Sequence, residues 1–161
     1  MEIPNYTSTR MHYQHKALVD LIDGVTDEQI RRQPEPGKWS VFEHIVHLQT
    51  YQHRFIERVR RILEEQNPAF ERYVADSDPL FQENCSRSSR EILQDMISTR
   101  KEMAKEILKF PPSDLHKKAT HPFYGDMNLV EWVNFFLLHE SHHLYSIFRL
   151  IAGLKKENIG N

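Results

Sequence analysis

Apolar residues recur along most of the chain every three to four positions, the period of a helix with one buried face, and strand-like residues never alternate long enough to suggest a sheet. Four long segments emerge. The first, roughly 7–24, places Met11, Leu18, Leu21, Ile22 and Val25 on one face and meets Gly24 at its end. The second, roughly 41–66, carries Val41, Ile45, Leu48, Phe55, Val59 and Ile62 at helical spacing. The third, roughly 89–110, uses Ile92, Leu93, Met96, Met103, Ile107 and Leu108 and is stopped by Pro111 and Pro112. The fourth, roughly 129–152, ends at Gly153.

Side chains able to cap free backbone N–H groups mark the helix starts, each with a Glu or Gln three residues on to reach back. Ser40 with Glu43, Ser88 with Glu91 and Asn128 with Glu131 fit, and Thr26 with Gln29 predicts a short extra turn. Pro34, Pro36, Gly37, Pro68, Pro79, Pro122 and Gly125 fall in polar breaks between helices. The first and third connections are long, about 15 residues each, and long connections in a bundle often cover one end and carry function. The expected class is all-α, a four-helix bundle with one long connection between its first and second helices.

Composition narrows the function. A chain of 161 residues fits a single domain, 1–161, with a real core. A formal net charge of −2, with 27% charged residues, gives no bias toward phosphate backbones or anionic lipid, so neither nucleic acid nor membrane is an expected partner. The first residues lack an apolar core of signal-peptide type, and no apolar run approaches the roughly 20 residues that span a bilayer, so a cytoplasmic location is expected. The single cysteine, Cys85, forms no internal disulfide, lies in a polar stretch read as loop, and is taken as incidental.

Ten histidines are the unusual count, and placement decides what they mean. In the fourth segment Phe136, Ile147 and Leu150 define the inward face, with His143 in its middle and His139 one turn earlier. A pair at i and i+4 stacks two imidazoles close enough to share a metal ion; the plain alternative is two hydrogen-bonded histidines in a polar core layer. In the second segment either His44 or His47 could face that pair, and periodicity leaves both open. A third nitrogen would complete a His₃ set with positions left for water or substrate. His15 faces inward on the first segment and could approach the same space, read as a pocket or packing residue with ligation as the alternative. His12, His53, His116 and His121 are read as solvated, and His142 as pointing away.

His139-Glu140-Ser141-His142-His143 also spells the zincin signature, but a metzincin continuation would place Gly and His where Leu144, Ser146 and Arg149 stand. Proteolysis is not expected. Glu140 faces inward beside His143, where it either orients a ligand and accepts a proton or bonds to a neighbouring helix.

Trp39-Ser40 at the start of the second segment, His47-Leu48 eight residues after that Trp, and the His139…His143 pair in the last long helix together resemble the DinB-like (DinB/YfiT) superfamily over nearly the whole chain. The superfamily includes metal-dependent hydrolases and bacillithiol- and mycothiol-dependent transferases. The resemblance implies an up-down-down-up bundle and selects His47 over His44 as third ligand beside His139 and His143. It further implies nickel or zinc, with manganese or iron also compatible, and a homodimer. Tyr145-Ser146 stands where many relatives carry Gly-Gln, a departure on the substrate side.

The expected function is therefore a metal-dependent hydrolase or low-molecular-weight-thiol S-transferase acting on a small molecule. Its site would be His47, His139 and His143, with Glu140 as a candidate catalytic group and Tyr51, His15 and His44 at the pocket. A binding or stress-response module with a structural metal is the alternative, favoured by a closed ligand shell.

Overall fold

A computed structural model of the chain describes residues 2–159. The first helical segment is α1 (Asn5–Tyr13), a 3-10 turn (Gln14–Lys16) and α2 (Ala17–Ile22), followed by the short α3 (Asp27–Arg31). Next come α4 (Val41–Glu64), a 3-10 turn (Ala75–Ser77), α5 (Pro79–Cys85), α6 (Ser89–Ile107) and α7 (Pro112–Leu115). Strands β1 (Lys118–His121) and β2 (Gly125–Asn128) precede the long α8 (Leu129–Ile159).

The predicted caps form. Thr26, Ser40 and Ser88 each close a reciprocal capping box with Gln29, Glu43 and Glu91. Asn128 and Glu131 exchange hydrogen bonds of 2.7 and 3.0 Å at the start of α8. Each such cap satisfies two backbone N–H groups and is worth about 0.5–2 kcal/mol.

Two apolar clusters give the bundle its direction. One gathers Met11, Phe55, Met103 and Phe136, and the other Leu18, Ile45, Ile92 and Ile147. Chain order then has α1–α2 and α8 running from the first cluster to the second, and α4 and α6 running back, which is an up-down-down-up bundle. Fully buried Phe55, Ile62, Trp132 and Ile147 each contribute roughly 1.5–3 kcal/mol by leaving water. Polar side chains are buried beside these clusters, among them His15, His47, Gln52, Arg100, Glu140 and His143.

Several expectations are corrected. The first segment is interrupted by a 3-10 turn, where Gln14 reaches the Leu137 carbonyl at 2.8 Å and its neighbour His15 is buried. The last helix runs through Gly153, since one glycine costs a helix only about 1 kcal/mol. The stretch around Cys85 is helix, not loop: Asp78 caps it by accepting from the Leu80 N–H at 2.9 Å, and Pro79 occupies the first turn, where its missing N–H costs nothing. Cys85 is half-buried there, and burial pushes its thiol up to about 11.

A small sheet is also present. Strands β1 and β2 pair antiparallel with Ala119 opposite Met127 and His121 opposite Gly125, whose φ of 72° suits the tight turn. Only Ala119 and His121 of β1 are buried, too few positions for alternation to register in the sequence. The loop after α4 joins this hairpin through Phe70 N–H to the Thr120 carbonyl (3.0 Å) and Thr120 N–H to the Pro68 carbonyl (2.9 Å). Among the described residues no helix is long and apolar enough to cross a membrane.

Candidate metal centre

The capped start of α4 sets the phase of His44 and His47, one turn apart, while α8 carries His139 and His143 at i and i+4. Because α4 and α8 run in opposite directions, His44 meets His143 and His47 meets His139. Nε2 of His47 lies 2.9 Å from Nε2 of His139, and Nε2 of His143 lies 3.2 Å from the same atom. One donor nitrogen from each of His47, His139 and His143 falls within 4.8 Å of the others.

This arrangement is poorly explained by hydrogen bonding alone. A ring nitrogen has one in-plane site, occupied by either a proton or a lone pair, so His139 Nε2 cannot pair well with both neighbours at once. Nδ1 of His47 and Nδ1 of His139 are buried without a partner among the described residues. Two imidazole nitrogens bound to one ion at about 2.0–2.1 Å lie roughly 3 Å apart, the spacing of His139 Nε2 from both His47 and His143. The residues thus fit a divalent cation better than they fit a hydrogen-bonded polar layer.

Burial, ahead of the neighbouring imidazoles, lowers His47 to about 3 from the ordinary 6.5. Burial first and then His142 lower His139 to about 4, and burial followed by His47 and His139 pulls His143 down further. All three are neutral near pH 7, the form in which imidazole is a ligand. Aromatic rings hold them in place: Trp39 stacks on His143 at 6.1 Å, and Tyr51 lies 4.2 Å from His139.

The other predicted site residues are placed as follows. Tyr51 and the three histidines line a cavity of about 400 Å³, closed on the far side by the 71–76 loop and the 121–124 turn. His44 lies outside that cavity, with Nδ1 2.9 Å from Nδ1 of His143. His15 is buried, lowered to about 4 by burial and then by Arg100, and is not on the cavity wall. Glu140 pairs with Arg100, both only 1% exposed, and accepts from Gln14 Nε2 at 2.7 Å. Its carboxylate is tied to α6 and to the 3-10 turn after α1, the neighbouring-helix bonding given above as its structural alternative. Cys85 is not on the cavity wall.

One expectation about the histidines is reversed. His121 is buried at 7% exposure and lines the cavity, rather than standing in solvent. Its sequence neighbours Pro122 and Gly125 signal a turn, but only the pairing with β2 turns the ring inward. Arg58, on the same helix as His47, also lines the cavity and carried no signal in the periodicity.

The model for the DinB superfamily matches residues 10–147. Among solved structures, YfiT from Bacillus subtilis, described as a probable metal-dependent hydrolase with an unusual four-helix bundle topology, superposes with a TM-score of 0.78 at 17% identity, over 94% of this chain and 87% of its own. TT2238, a four-helix bundle protein, gives a TM-score of 0.64 at 20% identity, over 89% of this chain and 96% of its own. No curated protein matches.

Proposed function

The chain belongs to the DinB superfamily, and from that premise we propose that it is an enzyme using a divalent metal, held by His47, His139 and His143, to activate water for hydrolysis or a low-molecular-weight thiol for transfer. The observation that carries this proposal is the position of the three histidines: they converge, and together they form part of the wall of a cavity large enough for a small molecule. Among the described residues no fourth His, Cys, Asp or Glu joins the group, which favours open coordination positions over a closed structural shell. The description of YfiT as a probable metal-dependent hydrolase agrees with this assignment.

Bound there, a divalent ion supplies Lewis acidity that makes a nucleophile available near neutral pH. The chain's own residues do the rest. His47, His139 and His143 offer neutral lone pairs. His44 accepts the Nδ1 proton of His143, which keeps Nε2 of that ring free for the ion. Trp39, Tyr51 and Tyr73 pack against the histidine rings and fix their orientation. An all-imidazole donor set suits nickel or zinc, and iron, better than magnesium or calcium.

The direct test assays the metal-loaded protein with a panel of activated esters and amides and with small thiols plus an electrophile. Turnover of one class, abolished in His139→Ala, is expected. No turnover in either class, or turnover that survives that substitution, would contradict the proposal.

A further inference from the structure

We propose that Arg58 and His121 form a carboxylate subsite in the cavity, holding the anionic end of a monoanionic small-molecule substrate whose reactive end lies at the histidine cluster. Only the placing of that reactive end rests on the function proposed above.

The first support is the state of Arg58. Arg54, Arg60 and Arg61, on the same stretch of α4, each have a carboxylate partner, at 2.7, 2.5 and 2.7 Å. Arg58 is half-buried and has none among the described residues; it donates to the Tyr51 hydroxyl and the Glu71 carbonyl, both at 3.1 Å and both neutral. A half-buried guanidinium whose partners are neutral leaves a positive charge on the cavity wall that an anion can pair with.

The second support is the tautomer of His121. Its Nδ1 accepts from the backbone N–H groups of Phe123 and Tyr124 at 3.1 and 3.3 Å. A backbone N–H can only donate, so the neutral ring must carry its proton on Nε2. That Nε2–H has no protein acceptor among the described residues, and the ring forms part of the cavity wall.

The two donors share one stretch of the wall: after burial, the Arg58 charge is the next cause holding His121 below its ordinary range. Both lie against Trp132, with the Arg58 guanidinium carbon 5.6 Å and the His121 ring centre 5.4 Å from that ring. Tyr51, which accepts from Arg58, lies 4.2 Å from His139, so the subsite is linked to the cluster through one side chain. A planar two-oxygen acceptor suits an arginine beside a single imidazole N–H. Arg58 and Arg72 on the cavity wall are balanced by Glu71 and Asp76, which disfavours a polyanion. Phe123, Tyr124 and Phe135 supply apolar walls for the body of the molecule.

The test uses the full chain, as purified with metal and after chelation, with phenylacetate and its neutral amide, phenylacetamide, as probes. Calorimetry should show the acid binding roughly tenfold more tightly than the amide in both metal states, as expected of one charge-assisted contact. Acid binding should also move the His121 Nε2 resonance. Arg58→Gln should remove the preference with metal content unchanged, and Arg58→Lys should retain most of it. Equal affinity for acid and amide, no binding of either, or a His121 signal that stays still as acid binds would overturn the subsite. The comparison of acid with amide needs only wild-type protein, so a misfolded variant does not disable it. Wild-type protein that takes up no metal yet prefers the acid through Arg58 would sink the metal-dependent function and uphold the subsite. Bound metal with no acid preference would do the reverse.

Discussion

Nδ1 of His44 lies 2.9 Å from Nδ1 of His143, on the side of the ring away from the cluster. When Nε2 of His143 faces a metal ion, its proton sits on Nδ1 and is donated to His44. Second partners of this kind are typically worth about 10–100-fold in metal affinity. His44→Ala is therefore expected to weaken metal binding by that order without abolishing it. Competition with a chromogenic chelator measures it, and affinity equal to wild type would show that the contact does no orienting.

Arg100 and Glu140 are a buried pair, and removing one member leaves the other's charge buried without a counter-charge. Glu140→Gln should cost about 3–5 kcal/mol in urea unfolding, and Arg100→Met in the same range, while the double variant Arg100→Met with Glu140→Leu should recover much of the loss. If Glu140→Gln keeps wild-type stability and loses activity, Glu140 is a catalytic carboxylate after all.

The acid limb of stability follows from the buried histidines. Burial is the first cause in lowering His15, His44 and His139 to about 4 and His47 to about 3, against 6.5 in the unfolded chain. Below pH 6.5 the unfolded state takes up protons that the folded state refuses, so this stability is complete above 6.5 and drains away as pH falls toward the folded values. Metal-free protein should lose urea resistance between about pH 6.5 and about pH 4.5, by up to about 1.4 kcal/mol per pH unit for each proton. A flat profile across that window would contradict the buried, neutral state of these rings.

Much of the bundle was legible in the sequence because its helices are long, capped and amphipathic. Ser40, Thr26, Ser88 and Asn128 marked starts that the structure places within a residue of the helices they cap. His139 and His143 were legible as a pair for the same reason. His44 and His47 could not be ranked by periodicity, because both in fact lie against α8. His44 meets the outer nitrogen of His143, while His47 meets the inner nitrogen of His139, a distinction of ring orientation that no hydrophobic pattern encodes. The hairpin escaped notice because four-residue strands give alternation too little length, and His121 escaped with it. Arg58 is one of several arginines on α4, and only the missing carboxylate sets it apart.

The central claim is that His47, His139 and His143 together hold one divalent ion. Metal analysis by plasma mass spectrometry, on protein purified without chelator and then re-equilibrated with nickel or zinc, tests it most directly. About one ion per chain is expected in wild type, falling to near none in His47→Ala, His139→Ala and His143→Ala while helical content is kept. A wild-type protein that binds no ion, or a His47→Ala variant with undiminished metal content, would contradict it.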